Sequence, residues 1–527
     1  MSKRTRRELF ADVGRGMIAA GIGTALASDL GFGTAWAAED AGRLTFGDLD
    51  PLVNFLQETP PEKLIAKAVE KLKAGTELKQ LVAAAALTNA RAFGGEDYVG
   101  FHTLMALAPA YQMAQEETDA AKKPLPVLKV LHRNATRLKE FGNTKETLKV
   151  VAPGPLGAAR NDGEQLRDAV RTAATDAGKA LANAEATFAG IYATGKPEDA
   201  LNALMVAVDD ATEVHRVVLV SRAWDLTRFV GAERAHTMLR QSVHYCVNTE
   251  KHPNQQKYNA PVREQLPKLL DQYKLLATKP GTRSADDAWV EKFALTVFNA
   301  TAEQAGDAVA AALAEGFSAE AIGEALSLAA NQLLLRDDGR PKSWVAPNKP
   351  EGSIHGDSIG VHACDTIHAW RNLAAIGDRR TQVTSLILAG HEVARDRANR
   401  AEFTKWEPYP RAEHRELVKG VPADALMKEL NAAIQDKDQV RAAALTARVG
   451  AELPKAARDV FALFRGYAIS EDGALHAEKY FATTTDEFAR ARSAFKWRQL
   501  VALARVTASQ YGYAAPGHKE ACEVLRG

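Results

Sequence analysis

The chain has 527 residues, 46% of them hydrophobic and 25% charged, with 67 Lys and Arg set against 66 Asp and Glu. That apolar fraction excludes a disordered or collagenous chain, and a net charge of +1 leaves no basic excess to neutralise nucleic-acid phosphates. Three cysteines and no C-x-x-C exclude a disulfide scaffold, a zinc ribbon and c-type haem attachment.

Residues 1–37 read as a targeting segment to be set aside before the fold is considered. Lys3, Arg4, Arg6 and Arg7 form a basic start, a Gly- and Ala-rich apolar stretch runs from Met17 to Leu30, and Ala35-Trp36-Ala37 fits a small-x-small cleavage site. This segment resembles a twin-arginine (Tat) signal peptide. The resemblance implies passage of an already folded chain through the Tat export machinery, often with a metal or cofactor inserted beforehand, to the periplasm or beyond. Asp29 and the glycines make the apolar stretch a poor membrane span, so no membrane partner is expected after cleavage. Removing it takes away five basic and three acidic residues, and the resulting net charge of −1 again argues against nucleic acid. An oxidising compartment allows one disulfide among Cys246, Cys364 and Cys522.

From residue 38 onward, Ala-rich segments with helical spacing alternate with Pro/Gly breaks. Leu64, Ala68, Val69 and Leu72 share one helix face, and Leu204, Val208, Ala211 and His215 follow the same period. So do residues 463–467 and 497–506. Breaks fall at Pro60-Pro61, Gly94-Gly95, Pro153-Gly154-Pro155, 253–261, Pro280-Gly281, 337–352, 408–411 and Pro516-Gly517. No alternating strand stands out. An all-α fold is expected.

Blocks of the first half recur in the second in the same order. Pro197-Glu198-Asp199-Ala200-Leu201 returns as Pro422-Ala423-Asp424-Ala425-Leu426, and residues 97–102 return as residues 357–362. Residues 77–87 resemble 321–331 at a smaller shift, Arg222 matches Arg448, and both arginines suit ion-pair roles. The expected organisation is two duplicated, pseudo-symmetric helical halves, residues 38–285 and 286–527. The shift grows across residues 337–352, so the second half gains a Pro-rich loop carrying Arg340, Lys342 and Trp344. That loop could form a lid.

The duplication gives the thirteen histidines a pattern. His102 falls on His362, His132 on His391, and His244 on His476. Retained pairs suggest a shared task, because packing alone does not require an imidazole. The densest segment is residues 353–370. Asp357 is expected to cap a helix there, with His362 in its second turn, where the positive helix end favours the neutral ring that a metal or a proton acceptor needs. Asp365 and His368 stand i, i+3 on one face, so a carboxylate and an imidazole can orient each other. His355 lies in the loop ahead and could fold over the site. Asp209-Asp210 with Glu213 and His215 could make another carboxylate–imidazole pair, though a solvated helix face explains the two aspartates equally well. H-E-x-x-H, paired E-x-x-H, G-x-S-x-G and the phosphate-cradling glycine motifs are all absent.

Phe101-His102 and Val361-His362, set among Ala-rich helices, resemble segments of the questin oxidase-like helical proteins, and that resemblance implies oxidation chemistry. The expectation is an exported, all-helical enzyme with a His-rich pocket between its halves, a metal-dependent oxidoreductase acting on a small-molecule substrate. His102, His132, His362 and His391, with His244 and His476 behind them, are the candidate ligands of a transition metal (iron, copper or zinc). His355, Asp365 and His368 are the candidate acid–base groups. The competing expectation is a non-catalytic periplasmic binding or scaffold protein whose histidines are structural.

Overall fold

The computed structural model describes residues 42–143, 145–157 and 161–526; the expected signal segment lies outside them. Among the described residues there are 23 α-helices and no strand. The first seven are α1 (Asp50–Glu58), α2 (Pro61–Lys73), α3 (Leu78–Phe93), α4 (Tyr98–Glu116), α5 (Leu125–Phe141), α6 (Asp162–Arg171) and α7 (Ala177–Thr194). Next come α8 (Pro197–Val208), α9 (Val214–Val230), α10 (Ala235–Glu250), α11 (Pro253–Gln272), α12 (Asp287–Asn299), α13 (Ala302–Ala314), α14 (Ala319–Leu335), α15 (Ile359–Ile376) and α16 (Arg379–Ala398). The chain ends with α17 (Ala412–Val418), α18 (Leu426–Gln435), α19 (Gln439–Glu452), α20 (Ala457–Ser470), α21 (His476–Arg490), α22 (Trp497–Gln510) and α23 (His518–Arg526).

Local chemistry sets the boundaries. Asp286, Ser318, Asp378 and Asp438 accept backbone N–H groups at the starts of α12, α14, α16 and α19. Pro61 and Pro197 occupy the first positions of α2 and α8, where a missing N–H costs nothing. One expected helix is split. Leu204 and Val208 belong to α8, but His215 belongs to α9, because Asp209–Thr212 leaves the helix and Glu213 starts a new one. No helix among the described residues is long and apolar enough to cross a membrane.

The chain forms two compact units, Met1–Ala108 with Leu131–Glu264, and Pro109–Val130 with Gln265–Gly527. The chain passes from one to the other inside α4, α5 and α11. In the first unit α3 is buried from Leu81 to Phe93 and packs against α1, α9 and α10. In the second, α14 is buried from Ala321 to Leu335 among α12, α15, α16 and α22. Alanines on both helices let neighbouring axes approach closely.

Each buried helix is followed by one that opens with a Gly-x-His step. A Cβ on Gly100 would stand 2.5 Å from Phe93 Cγ at the end of α3, and one on Gly360 would stand 2.7 Å from Leu334 Cγ at the end of α14. The glycines let α4 and α15 press onto the central helices, which fixes where His102 and His362 emerge. Arg222 and Arg448 do make ion pairs, to Asp225 at 3.4 Å and Glu452 at 2.7 Å. Cys246, Cys364 and Cys522 are all free thiols, so the disulfide allowed by the sequence is absent; Cys246 and Cys364 are enclosed in the cores of different units. Gly360→Ala should push α15 off α14 and destabilise the protein by about 1–3 kcal/mol, measured by urea unfolding.

Candidate functional site

The second unit gathers most of the residues singled out from the sequence. Ser358, not Asp357, caps α15, its hydroxyl accepting the Val361 N–H at 3.3 Å. Asp357 is engaged elsewhere: Arg340 and Lys349 each donate to its carboxylate at 2.6 Å, and His355 Nδ1 lies 3.4 Å away. Burial pushes this carboxyl up, but His355, Lys349 and Arg340 outweigh it and hold it well below the usual range. Loop 337–352 is thereby fastened to the start of α15. Backbone bonds between Arg340 and Ser353 (3.0 Å) and between Gly352 and Arg340 (2.9 Å) close its neck.

His362, half-buried on α15, meets His476, the first residue of α21. Their Nε2 atoms are 3.0 Å apart and their ring centroids 5.0 Å apart. Two imidazoles at that separation share a proton, one N–H donating to the other's lone pair, or they share a cation. The backbone ahead of His476 is strained, with Ala474 at φ 51° and Leu475 at φ 66°, a region costly to side chains larger than glycine. A Cβ on Gly356 would lie 2.5 Å from His476 Cβ, so the segment bearing His355 does fold against the pair.

Beyond the pair, α15 and α21 are joined by polar rungs. Thr483 donates to Asp365 at 2.8 Å, and His368 Nδ1 bonds Glu487 at 3.0 Å. His368 Nε2 lies 2.9 Å from Asn372 Nδ2 and 3.3 Å from Asp486. Arg371 bonds both Glu487 and, at 2.7 Å, Glu320. Residues 362, 365, 368 and 371 drift by about 60° a step round α15, yet each side chain reaches a residue of α21: His476, Thr483 and, for the last two, Glu487. Burial would raise Glu487, but the charge of Arg371 and the hydrogen bond from His368 hold its pKa at about 2.

The first unit has a different pair. His102 Nδ1–H donates to the Tyr98 carbonyl at 2.6 Å, and its ring lies 4.9 Å from that of His215. Glu213 caps α9 and accepts from the Arg216 N–H at 3.0 Å, the Tyr245 hydroxyl at 2.8 Å and His215 Nδ1–H at 2.8 Å. Burial pushes Glu213 up; hydrogen bonds from His215 and Tyr245 hold it at about 2. Of the acids grouped with His215 in the sequence, Glu213 is the one that bonds it, whereas Asp210 pairs with Arg171 and Arg263.

His244 does not resemble its sequence counterpart His476. It lies between two carboxylates, Glu96 on Nδ1 at 2.6 Å and Glu185 on Nε2 at 2.5 Å. Burial opposes its charge, but Glu185 and Glu96 prevail and raise its pKa. His391 is buried on α16 without a hydrogen bond among the described residues, and burial, reinforced by Arg395, lowers its pKa to about 4. His132 is half-buried on α5, its carbonyl accepting the Thr136 hydroxyl at 2.9 Å. Among the described residues no three His, Cys, Asp or Glu side chains form a group able to hold a metal. Sequence reasoning missed Glu487, Thr483 and Tyr245, which lie far along the chain from the groups they serve. The one available signal was the spacing of His476, Thr483 and Glu487 along one helix face.

No family model, curated protein or solved structure matches the chain.

Two pH effects follow. Glu487 is depressed from 4.5 to about 2 on folding, so its contribution is present above pH 4.5 and is lost as pH falls from there to about 2. Glu487→Gln should cost roughly 3–5 kcal/mol at neutral pH, by leaving Arg371 without its buried partner, and should flatten acid unfolding in that window. His244 is raised above 6.5, so its contribution is complete below pH 6.5 and is lost as pH rises through the higher folded value. His244→Gln should remove that alkaline slope in unfolding midpoints measured between pH 6 and 9.

Proposed function

We propose that the chain is an exported enzyme that uses a transition-metal ion at His362 and His476 for oxidoreduction of a small molecule. The observation that carries this reading is the 3.0 Å Nε2–Nε2 separation. Two ligands about 2.1 Å from one ion and at right angles to each other stand about 3.0 Å apart, whereas a tetrahedral pair stands about 3.4 Å apart. The spacing therefore favours iron or copper over zinc. Two imidazoles leave most coordination positions to solvent and substrate. His355, in the segment folded on the pair, and Asp365 and His368 along the polar seam would bring and remove protons.

The same proposal takes the two units as copies of one ancestral unit. Its support is the shared arrangement: a buried Ala-rich helix, a Gly-x-His step, and a second histidine in the opening turn of a later helix (His215 on α9, His476 on α21). Tat export of a folded, metal-loaded chain fits this reading and would place the enzyme in the periplasm or outside the cell.

Elemental analysis of protein purified after export should find about one iron or copper per chain. The His362→Ala/His476→Ala double variant should retain less than about a tenth of it, in keeping with the loss of both protein ligands. Metal-free wild-type protein that takes up neither Cu(II) nor Fe(II) would instead favour a binding or scaffold role.

A further inference from the structure

The second unit contains a cavity that the proposed metal chemistry does not use. Ala468 of α20, Ala477 of α21, and Leu503 and Val506 of α22 give it apolar walls. Two of these four are alanines, too small to fill the space where three helices meet. With its mouth the cavity measures about 270 Å³, and the enclosed part has room for about one water molecule. Tyr467, the one lining residue that is not buried, marks where the cavity reaches the surface.

A polar group in this lining lacks a partner. Gln510, the last residue of α22, is 5% exposed, and its Nε2 has no hydrogen-bond partner among the described residues. A buried N–H left unmet is costly, so the position calls for an acceptor. Gly356 and Gly473 make room for the amide, because a Cβ on them would stand 3.0 and 3.1 Å from Nε2. The carbonyls and the carboxylate around the cavity are engaged. Lys129 donates to the Ala468 and Glu471 carbonyls at 2.8 Å each and meets Glu478 at 2.7 Å. The Glu471 carboxylate accepts the Gly512 and Tyr513 N–H groups at 2.9 Å and the Ser470 hydroxyl at 3.1 Å.

These features select the chemistry of an occupant. Glu471 and Glu478 outnumber Lys129, which disfavours an anion, and an unmet N–H donor disfavours a cation. A ligand hydroxyl would bring a proton in search of an acceptor, where the carbonyls and the carboxylate already have donors. What fits is a neutral acceptor on a short apolar body. We propose that this cavity binds small uncharged ketones and aldehydes. The carbonyl oxygen takes the enclosed place and accepts the Gln510 N–H, and the alkyl part rests on Ala468, Leu503 and Val506.

The test is titration of the full chain with acetone, followed by saturation transfer from the protein to the acetone methyl signal in NMR spectra. Saturable binding is expected. Gln510→Met, which keeps the length but removes the donor, should weaken it about tenfold. Val506→Phe should fill the cavity and abolish it, and Ala468→Val replaces that variant if its helical circular dichroism is lost. Acetate, of nearly the same shape but charged, should not compete. Binding should be unchanged in EDTA, which separates this site from the proposed metal centre. The proposal is overturned if acetone binding does not saturate, which would leave an ordered water as the occupant. It is equally overturned if the folded variants bind as the wild type does, if acetate competes as well as acetone, or if EDTA abolishes binding.

Discussion

A buried imidazole has two nitrogens to satisfy, and the chemistry open to each histidine here follows from what takes each nitrogen. A carbonyl, that of Tyr98, takes the Nδ1–H of His102, and a single carboxylate, that of Glu213, takes the Nδ1–H of His215. Where carboxylates take both nitrogens, as Glu96 and Glu185 do for His244, the ring is driven toward the cation and becomes a structural ion. Where burial and a nearby arginine act without a close acid, as at His391, the ring is neutral over the physiological range. His362 and His476 are the remaining case, each presenting Nε2 to the other. One residue type thus serves as hydrogen-bond donor, counter-ion, buried neutral ring and ring-to-ring partner, sorted by what stands beside it.

The acids are sorted by the same logic. Glu487 and Glu213 each face an imidazole, but Glu487 also carries Arg371, so it anchors a buried ion network, whereas Glu213 is held by the Tyr245 hydroxyl and the Arg216 N–H. Asp357 shows how a loop becomes part of such a system. Freed from capping by Ser358, it ties Arg340 and Lys349 of loop 337–352 to the segment that lies against His476. The loop is therefore a brace on the histidine pair, with Trp344 left half-exposed at its tip.

The helical class was legible because a 3.6-residue period and Pro/Gly breaks depend on neighbouring residues alone. The Gly-x-His steps were legible for a similar reason, since the close approach at Gly100 and Gly360 is set by the helix that immediately precedes each one. What escaped were partners set by tertiary packing. Glu487 meets His368 across 119 residues and Tyr245 meets Glu213 across 32, and no local pattern announces either contact. The helix drawn through Leu204 and His215 failed because its apolar period continues across Asp209–Thr212, whereas Arg171 and Arg263 hold Asp210 outside any helix.

That interruption has a counterpart before His476, and together they explain why both paired histidines begin helices. The opening turn of a helix leaves backbone N–H groups without intrahelical partners, so a side chain there stands at the positive end of the helix. Reaching it requires the chain to break sharply just upstream. In the first unit the break is stabilised by the arginines on Asp210; in the second it is made by two consecutive left-handed residues, Ala474 and Leu475. Such strain costs of order 1–3 kcal/mol per residue. Here the neighbouring contacts offset it: the Ala474 N–H bonds Asp472 at 3.0 Å, and Gly356 packs on His476. The second unit therefore holds His476 by strain and close packing where the first holds His215 by charge. A pair held that way has little freedom to open its 3.0 Å separation.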